Sequence, residues 1–212
     1  MDAIANGIVA DGTNDDTAAW NTLLASATAL GATVFLRANL TSRITAPITP
    51  PSKARILGGP GATIRQDTVN VPAFDLLDRD DVVIEGLTIT NNATRTYLAT
   101  AFRGSAGYVY SAGIWCSGSR NLFRDLTISN FTSAIYLNSW DGADFNQYEV
   151  GNTIQNVTVS DVDFGLLAVG QDRPLVHALR GSYSLTAASP NPPHLIYWSD
   201  GSVGARLRLK PM

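Results

Sequence analysis

A chain of 212 residues with a formal charge of −3 and 16% charged residues is long enough for one domain with a sizeable core. Two lysines stand against 13 arginines with no basic stripe, and no apolar run reaches the ~18 residues of a membrane span, which sets aside nucleic-acid binding and membrane insertion. The lone cysteine, Cys116, excludes an internal disulfide framework and, lying in an apolar strand, reads as core.

The start, Met1-Asp2-Ala3-Ile4-Ala5-Asn6, lacks the charged and apolar runs of a signal peptide, so work outside a cell implies another route or a particle. A helix is predicted over 14–30. Asn14, Asp15 and Asp16 supply capping acceptors at its start; Trp20, Leu23, Leu24, Ala27 and Leu30 form one stripe; and Gly31 stops it. Short strands follow around Val34-Phe35-Leu36, Ile44, Ile56-Leu57 and Thr63-Ile64-Arg65, punctuated by proline and glycine.

From about residue 73 a phrase recurs. Val83-Ile84-Glu85-Gly86-Leu87-Thr88-Ile89 returns over 122–128 and 153–159, with degraded copies over 175–180 and 203–209. Taking Leu87, Leu126, Val157, Leu179 and Leu207 as equivalent, the steps are 39, 31, 22 and 28 residues. A unit this short cannot bury its own apolar face and must stack on its neighbours. Its alternation of large apolar with polar residues is strand patterning. The fold class is therefore all-β, a single-stranded parallel solenoid, and the helix ahead of it suits a cap over the first coil.

A second strand class alternates with the first: Phe74-Asp75-Leu76, Ile114-Trp115-Cys116, Ile135-Tyr136-Leu137, Leu166-Leu167-Ala168 and Ile196-Tyr197-Trp198. With the first and third residues inward, the outward column of this face A reads Asp75, Trp115, Tyr136, Leu167, Tyr197. The phrase itself, face B, turns Thr88, Thr127 and Thr158 outward as an ordinary solvent-facing ladder. Insertions over 91–112, 138–151 and 183–194 leave the corners beside face A and flank it like the sides of a groove.

The opening segment, Ala10-Asp11-Gly12-Thr13-Asn14-Asp15-Asp16-Thr17-Ala18-Ala19-Trp20, resembles the phrase that begins many pectate-lyase-like β-helix domains, departing from it at Ala10, where glycine is usual. With the later coils, the resemblance extends over 8–209. It implies a right-handed parallel β-helix as one domain, with 1–31 as N-terminal segment and capping helix and 32–212 as coils. The superfamily includes phage tailspikes and tail-fibre depolymerases, pectin-degrading enzymes and uronan epimerases, and the fold alone does not choose among them.

Glycoside hydrolysis needs two carboxylates flanking the scissile bond. The best cluster is Trp140-Asp141-Gly142-Ala143-Asp144 with Glu149, on the loop beside face A, which makes Asp141, Asp144 and Glu149 the catalytic candidates. Asp75, Trp115, Tyr136, Trp140 and Tyr197 are the candidate substrate contacts, the aromatic rings offering flat surfaces to sugars. Asp-Gly is equally a turn pair, and the other loop acids read as solvated. The polygalacturonase Gly-His-Gly and epimerase Asp-Pro-His-Glu motifs are absent, and no acidic cage for calcium is visible, so neither metal nor cofactor is expected. His194, after Pro192-Pro193, reads as a loop residue.

Leu207-Arg208-Leu209 belongs to a coil the sequence does not complete, which points to a fragment of a longer protein with an uncapped end. The first expectation is a virion-tail or extracellular tailspike-type domain, homotrimeric in the full protein, that binds and cleaves a bacterial surface polysaccharide. The alternatives are a non-catalytic shaft or receptor-binding segment and a pectate-lyase-like enzyme on a uronic-acid polymer.

Overall fold

The computed structural model describes residues 1–94, 111–138, 149–182, 194–199 and 206–208. Much of the three insertions beside face A lies outside them.

A short 3-10 turn (Ile4–Asn6) precedes β1 (Asp11–Asp15), α1 (Thr17–Ala29), β2 (Val34–Leu36), β3 (Thr41–Ile44), β4 (Arg55–Gly58), β5 (Thr63–Gln66), β6 (Phe74–Leu76), β7 (Val83–Glu85) and β8 (Thr88–Asn91). Then come β9 (Ala112–Cys116), β10 (Leu122–Arg124), β11 (Thr127–Ser129), β12 (Ser133–Asn138), β13 (Glu149–Val150), β14 (Thr153–Ser160), β15 (Phe164–Val169), β16 (Gln171–Asp172), β17 (Leu175–Gly181), β18 (His194–Ser199) and β19 (Arg206–Arg208). Among the described residues these strands form a 12-stranded, a 5-stranded and a 2-stranded sheet, and every pairing is parallel.

The large sheet is folded into two arms. One carries β2, β4, β7, β10 and the first half of β14; the other carries β1, β3, β5, β8, β11 and its second half. The five-stranded sheet, β6-β9-β12-β15-β18, is face A. The chain visits arm, arm and face A in turn, a solenoid-like order. All three supply one core: Ile84, Phe123 and Ile154 from the first arm, Ile64, Ile89 and Ile128 from the second, and Ile114, Ile135 and Leu166 from face A. The buried side of α1, Trp20, Leu23, Leu24 and Ala27, joins the same core.

The corner between the arms explains how the recurring phrase works. Gly86, Asp125, Asn156 and Ala178 stand at φ of 72°, 54°, 52° and 59°. A left-handed residue turns the chain sharply, so apolar residues on either side, such as Ile84 and Leu87, both point inward although they are three apart. Strict alternation therefore holds only within each short strand. The corner from face A into the first arm is built likewise, from Lys53, Asp81, Arg120, Gly151 and Arg173, with φ between 50° and 71°. There each amide bonds to the next rung: Asp81 N–H to the Ser119 carbonyl at 3.0 Å, Arg120 N–H to Val150 at 2.9 Å and Gly151 N–H to Asp172 at 3.0 Å. Inside that corner, Asn121 and Asn152 are 1% exposed and stack, Asn152 Oδ1 accepting the Asn121 N–H at 2.9 Å.

Four expectations are corrected. The last repeat aligns Leu207 with Val176, not with Leu179, so the final step is 31 residues rather than 28. Leu30 is 71% exposed and contributes nothing to the helix stripe. Asp16 does not cap the helix with its side chain, because its carboxylate is committed elsewhere. It accepts the Val9 and Ala10 N–H groups at 2.9 and 3.0 Å and the Ser42 hydroxyl at 2.7 Å, while Asp15 takes the Thr17 N–H at 3.0 Å. His194 opens β18 rather than lying in a loop. Among the described residues, no helix is long and apolar enough to cross a membrane.

Candidate functional site on the outer face of the five-stranded sheet

Backbone register builds the site. Asp75 pairs with Trp115, Trp115 with Tyr136, Tyr136 with Leu167 and Leu167 with Tyr197, so five side chains from five strands stand in one column. With rungs ~4.8 Å apart the column runs ~19 Å. It is in register because Phe74, Ile114, Ile135 and Leu166 fix one flanking position in the core, and Leu76, Cys116, Leu137 and Ala168 the other.

A second outward column lies beside it, which strict alternation along each strand does not produce. Ala112, Ser133, Phe164 and His194 pair across β9, β12, β15 and β18. They sit three residues ahead of the first column, so simple alternation would turn them inward. Instead pairing steps from Ser133 and Phe164 directly to Ile135 and Leu166, and Ala134 takes the inward place in the main core. The sequence signal was the small residue at the step, Gly113, Ala134 or Gly165, where a larger side chain would collide. A Cβ on Gly113 would come within 2.5 Å of Ile128 Cγ2, and one on Gly165 within 2.6 Å of the Leu195 carbonyl oxygen.

The two columns make a second apolar cluster outside the main core: Ala112, Tyr136, Phe164 and Leu167, with Trp115, Val169 and Tyr197 packed against it. The Phe164 ring meets His194 at 6.1 Å, nearly parallel, and Tyr197 edge-on at 6.0 Å, within aromatic pairing range. Tyr136 is 7% exposed and Leu167 5%, so the accessible parts of the first column are its ends, Asp75 with Trp115 and Tyr197. Burial pushes the Tyr136 phenol up to about 12.

Asp75 is the one acid of the described column. Burial raises its carboxyl above the usual range, opposed by the Leu77 N–H, which donates to Oδ1 at 3.0 Å, and by the charge of Arg79. Thr49, Asp75, Leu77, Asp78 and Arg79 surround a shallow depression of about 230 Å³.

Of the expected catalytic residues, Asp141 and Asp144 lie outside the described residues, as does Trp140 among the expected contacts. Glu149 belongs to β13, paired with Gln171 of β16, and is on a strand rather than a loop. Asp172, which follows face A at the corner, bonds Arg173 at 3.1 Å. Three strand spacings, ~14 Å, separate β6 from the β15 rung that leads to it. Asp75 and Asp172 are thus too far apart to act as the ~5–9.5 Å pair of a glycosidase.

No family model matches the chain, and no curated protein matches it. Among solved structures it is similar to two of PfbA, a surface adhesin of Streptococcus pneumoniae, at 11% and 13% identity and TM-scores of 0.40 and 0.39. Each likeness covers 91% of this chain, and 64% and 69% of the adhesin chains. It is also similar to Geobacillus virus E2 ORF18, at 14% identity and a TM-score of 0.38, over 96% of this chain and 61% of that one. The chain thus spans less than two thirds of the first adhesin chain and of the viral one.

Proposed function

We propose that the chain is a right-handed parallel β-helix of the pectate-lyase-like kind, working as a tailspike-type domain that binds a bacterial surface polysaccharide along face A. The observation that carries the reading is the in-register column from Asp75 through Trp115 to Tyr197. Aromatic rings beside a fixed carboxylate on a rigid sheet suit sugar rings, whose faces are apolar and whose rims carry hydroxyls. Cleavage would need two acids, and Asp141, Asp144 and Glu149 are the proposed ones. A homotrimer and a virion or extracellular setting belong to the same reading.

The test is affinity electrophoresis of the protein in gels containing bacterial capsular or O-antigen polysaccharides, with reducing-end release followed in parallel. Retardation that Trp115→Ala and Tyr197→Ala weaken supports binding; new reducing ends that Asp141→Asn or Asp144→Asn abolish support hydrolysis. No retardation by any polysaccharide sinks the reading.

A second reading is a non-catalytic shaft, favoured by the burial of Tyr136 and Leu167 in the outer cluster. It predicts that Trp115→Ala lowers stability with no glycan effect to measure. Sedimentation tests the trimer separately.

A further inference from the structure

The depression at the Asp75 end has a chemistry of its own. Resting on the polysaccharide reading, we propose that Thr49, Asp75, Leu77, Asp78 and Arg79 form a subsite for one sugar unit without a carboxylate, either uncharged or amine-bearing, and that this subsite rejects uronates.

Size comes first. About 230 Å³ is less than the ~300 Å³ at which pockets for drug-sized ligands begin, so one ring fits rather than a length of chain. Position comes next: Asp75 pairs in register with Trp115, so a ring seated here lies beside an aromatic surface.

The Asp75 carboxylate and the Thr49 hydroxyl are held in place before any ligand arrives, and so is the backbone that carries Asp78 and Arg79. Asp75 Oδ1 takes the Leu77 N–H at 3.0 Å, which fixes the carboxylate and leaves Oδ2 its lone pairs. Thr49 N–H bonds Asn21 Oδ1 at 2.7 Å, and its hydroxyl donates to the same atom at 3.2 Å, so the Thr49 oxygen offers acceptor sites to a ligand. The Asp78 N–H donates to Ser117 Oγ at 3.0 Å, and the Arg79 carbonyl accepts Asn121 Nδ2 at 2.9 Å. Gly118 lies so close under Arg79 that a Cβ there would stand 1.8 Å from that carbonyl oxygen, which seats this corner on the next rung.

The residues around the depression carry two carboxylates and a hydroxyl against one guanidinium. Sugar hydroxyls and ammonium groups are donors and match the acceptors. A uronate carboxylate has only acceptor capacity and would meet two like charges with one arginine to offset them. The upward push on Asp75 from burial agrees with a carboxylate already partly stripped of water, for which a further anion is a poor neighbour.

The experiment measures binding of the full chain to dextran, chitosan and polygalacturonate by affinity electrophoresis, repeated in high salt to remove non-specific charge attraction. The expected result is binding to dextran or chitosan that survives salt and falls about tenfold or more in Asp75→Asn, since a hydrogen bond to a charged group is worth at least that ratio. Asp78→Asn, at an exposed position, should weaken it in the same direction and guards against a folding defect in the first variant. Salt-resistant binding to polygalacturonate alone, or unchanged binding in both variants, overturns the subsite while leaving the polysaccharide reading intact. Binding to none of the three, with capsular and O-antigen polymers also unbound, removes both.

Discussion

Asp16 and Ser42, 26 positions apart, meet in the interior, with the Ser42 hydroxyl donating to Asp16 Oδ2 at 2.7 Å. Ser42 in turn accepts the Trp20 indole N–H at 2.8 Å, so one carboxylate ties the segment before the helix, the helix and β3 together. Asp16 is 2% exposed, and it also takes the Val9 and Ala10 amides. Asp16→Ala strands those donors, and each buried unmade bond to a charged group costs more than a neutral one. We expect a loss of about 3 kcal/mol or more by urea unfolding. Asp11→Ala, which breaks only exposed turn bonds to Thr13 and Asn14, should cost about 1 kcal/mol or less. Equal losses would refute the buried-hub account.

Several residues that carry side chains stand in the left-handed region. Lys53 is exposed at φ 71° and Ala10 is 3% exposed at φ 49°. A side chain there costs about 1–2 kcal/mol, and glycine gives back about 0.4–1 kcal/mol through the freedom of the unfolded chain. Lys53→Gly should therefore stabilise by about 0.5 kcal/mol. Ala10→Gly also forfeits a buried methyl worth about 0.8 kcal/mol, so its net effect should lie near zero despite the glycine usual in the resembled phrase. Denaturation midpoints of the two variants check the contrast. A destabilised Lys53→Gly would contradict it.

Tyr136 supplies an alkaline signature. Its phenol ionises near 12 in the folded protein and near 10 in the unfolded chain. Between those values the folded state holds more protons than the unfolded one, so stability falls as pH rises through the window. The limit is about 1.4 kcal/mol per unit of difference. Tyr136→Phe should flatten the stability profile above pH ~10, and phenolate absorbance should show one tyrosine titrating late. A profile identical in the variant would contradict the burial of this ring.

Asp75 works in the opposite pH range. Burial raises its folded pKa, so the folded state binds the extra proton and stability declines as pH rises from the unfolded value through the folded one. At neutral pH the ionised carboxylate is a net burden, and Asp75→Asn should unfold at a higher urea concentration with a flatter acid limb. A lower midpoint would mean that the charge is held by contacts that outweigh its desolvation. A half-buried acid that costs stability on an accessible face is what a binding role would retain.

The sequence displays the first column, the threonine ladder and the burial of Cys116, because alternation within a single strand is a local property. Thr88, Thr127 and Thr158 do align, and the ladder runs on through Thr63 to Thr41. What alternation cannot convey is a corner. The left-handed turn at Gly86, Asp125 and Asn156 resets which side chains point inward, and only the first of the three is a glycine that would have flagged it. The step at Gly113, Ala134 and Gly165 hides the second outward column, with Phe164 and His194, in the same manner. Asp16 differs for another reason: a capping acid and a buried hub look alike until Ser42 arrives from a distant strand.

The matched rungs have a consequence for how such a chain can change. Leu122 pairs with Val83, 39 positions earlier, and with Thr153, 31 later, while Thr153 pairs with Leu175 after only 22. Spacing along the stack is set by backbone ladders and is indifferent to how much chain is spent between them. Excursions beside the outer face can therefore lengthen, shrink or be exchanged while the column beneath stays in alignment. The outer face of this scaffold can thus vary by insertion and deletion as readily as by substitution.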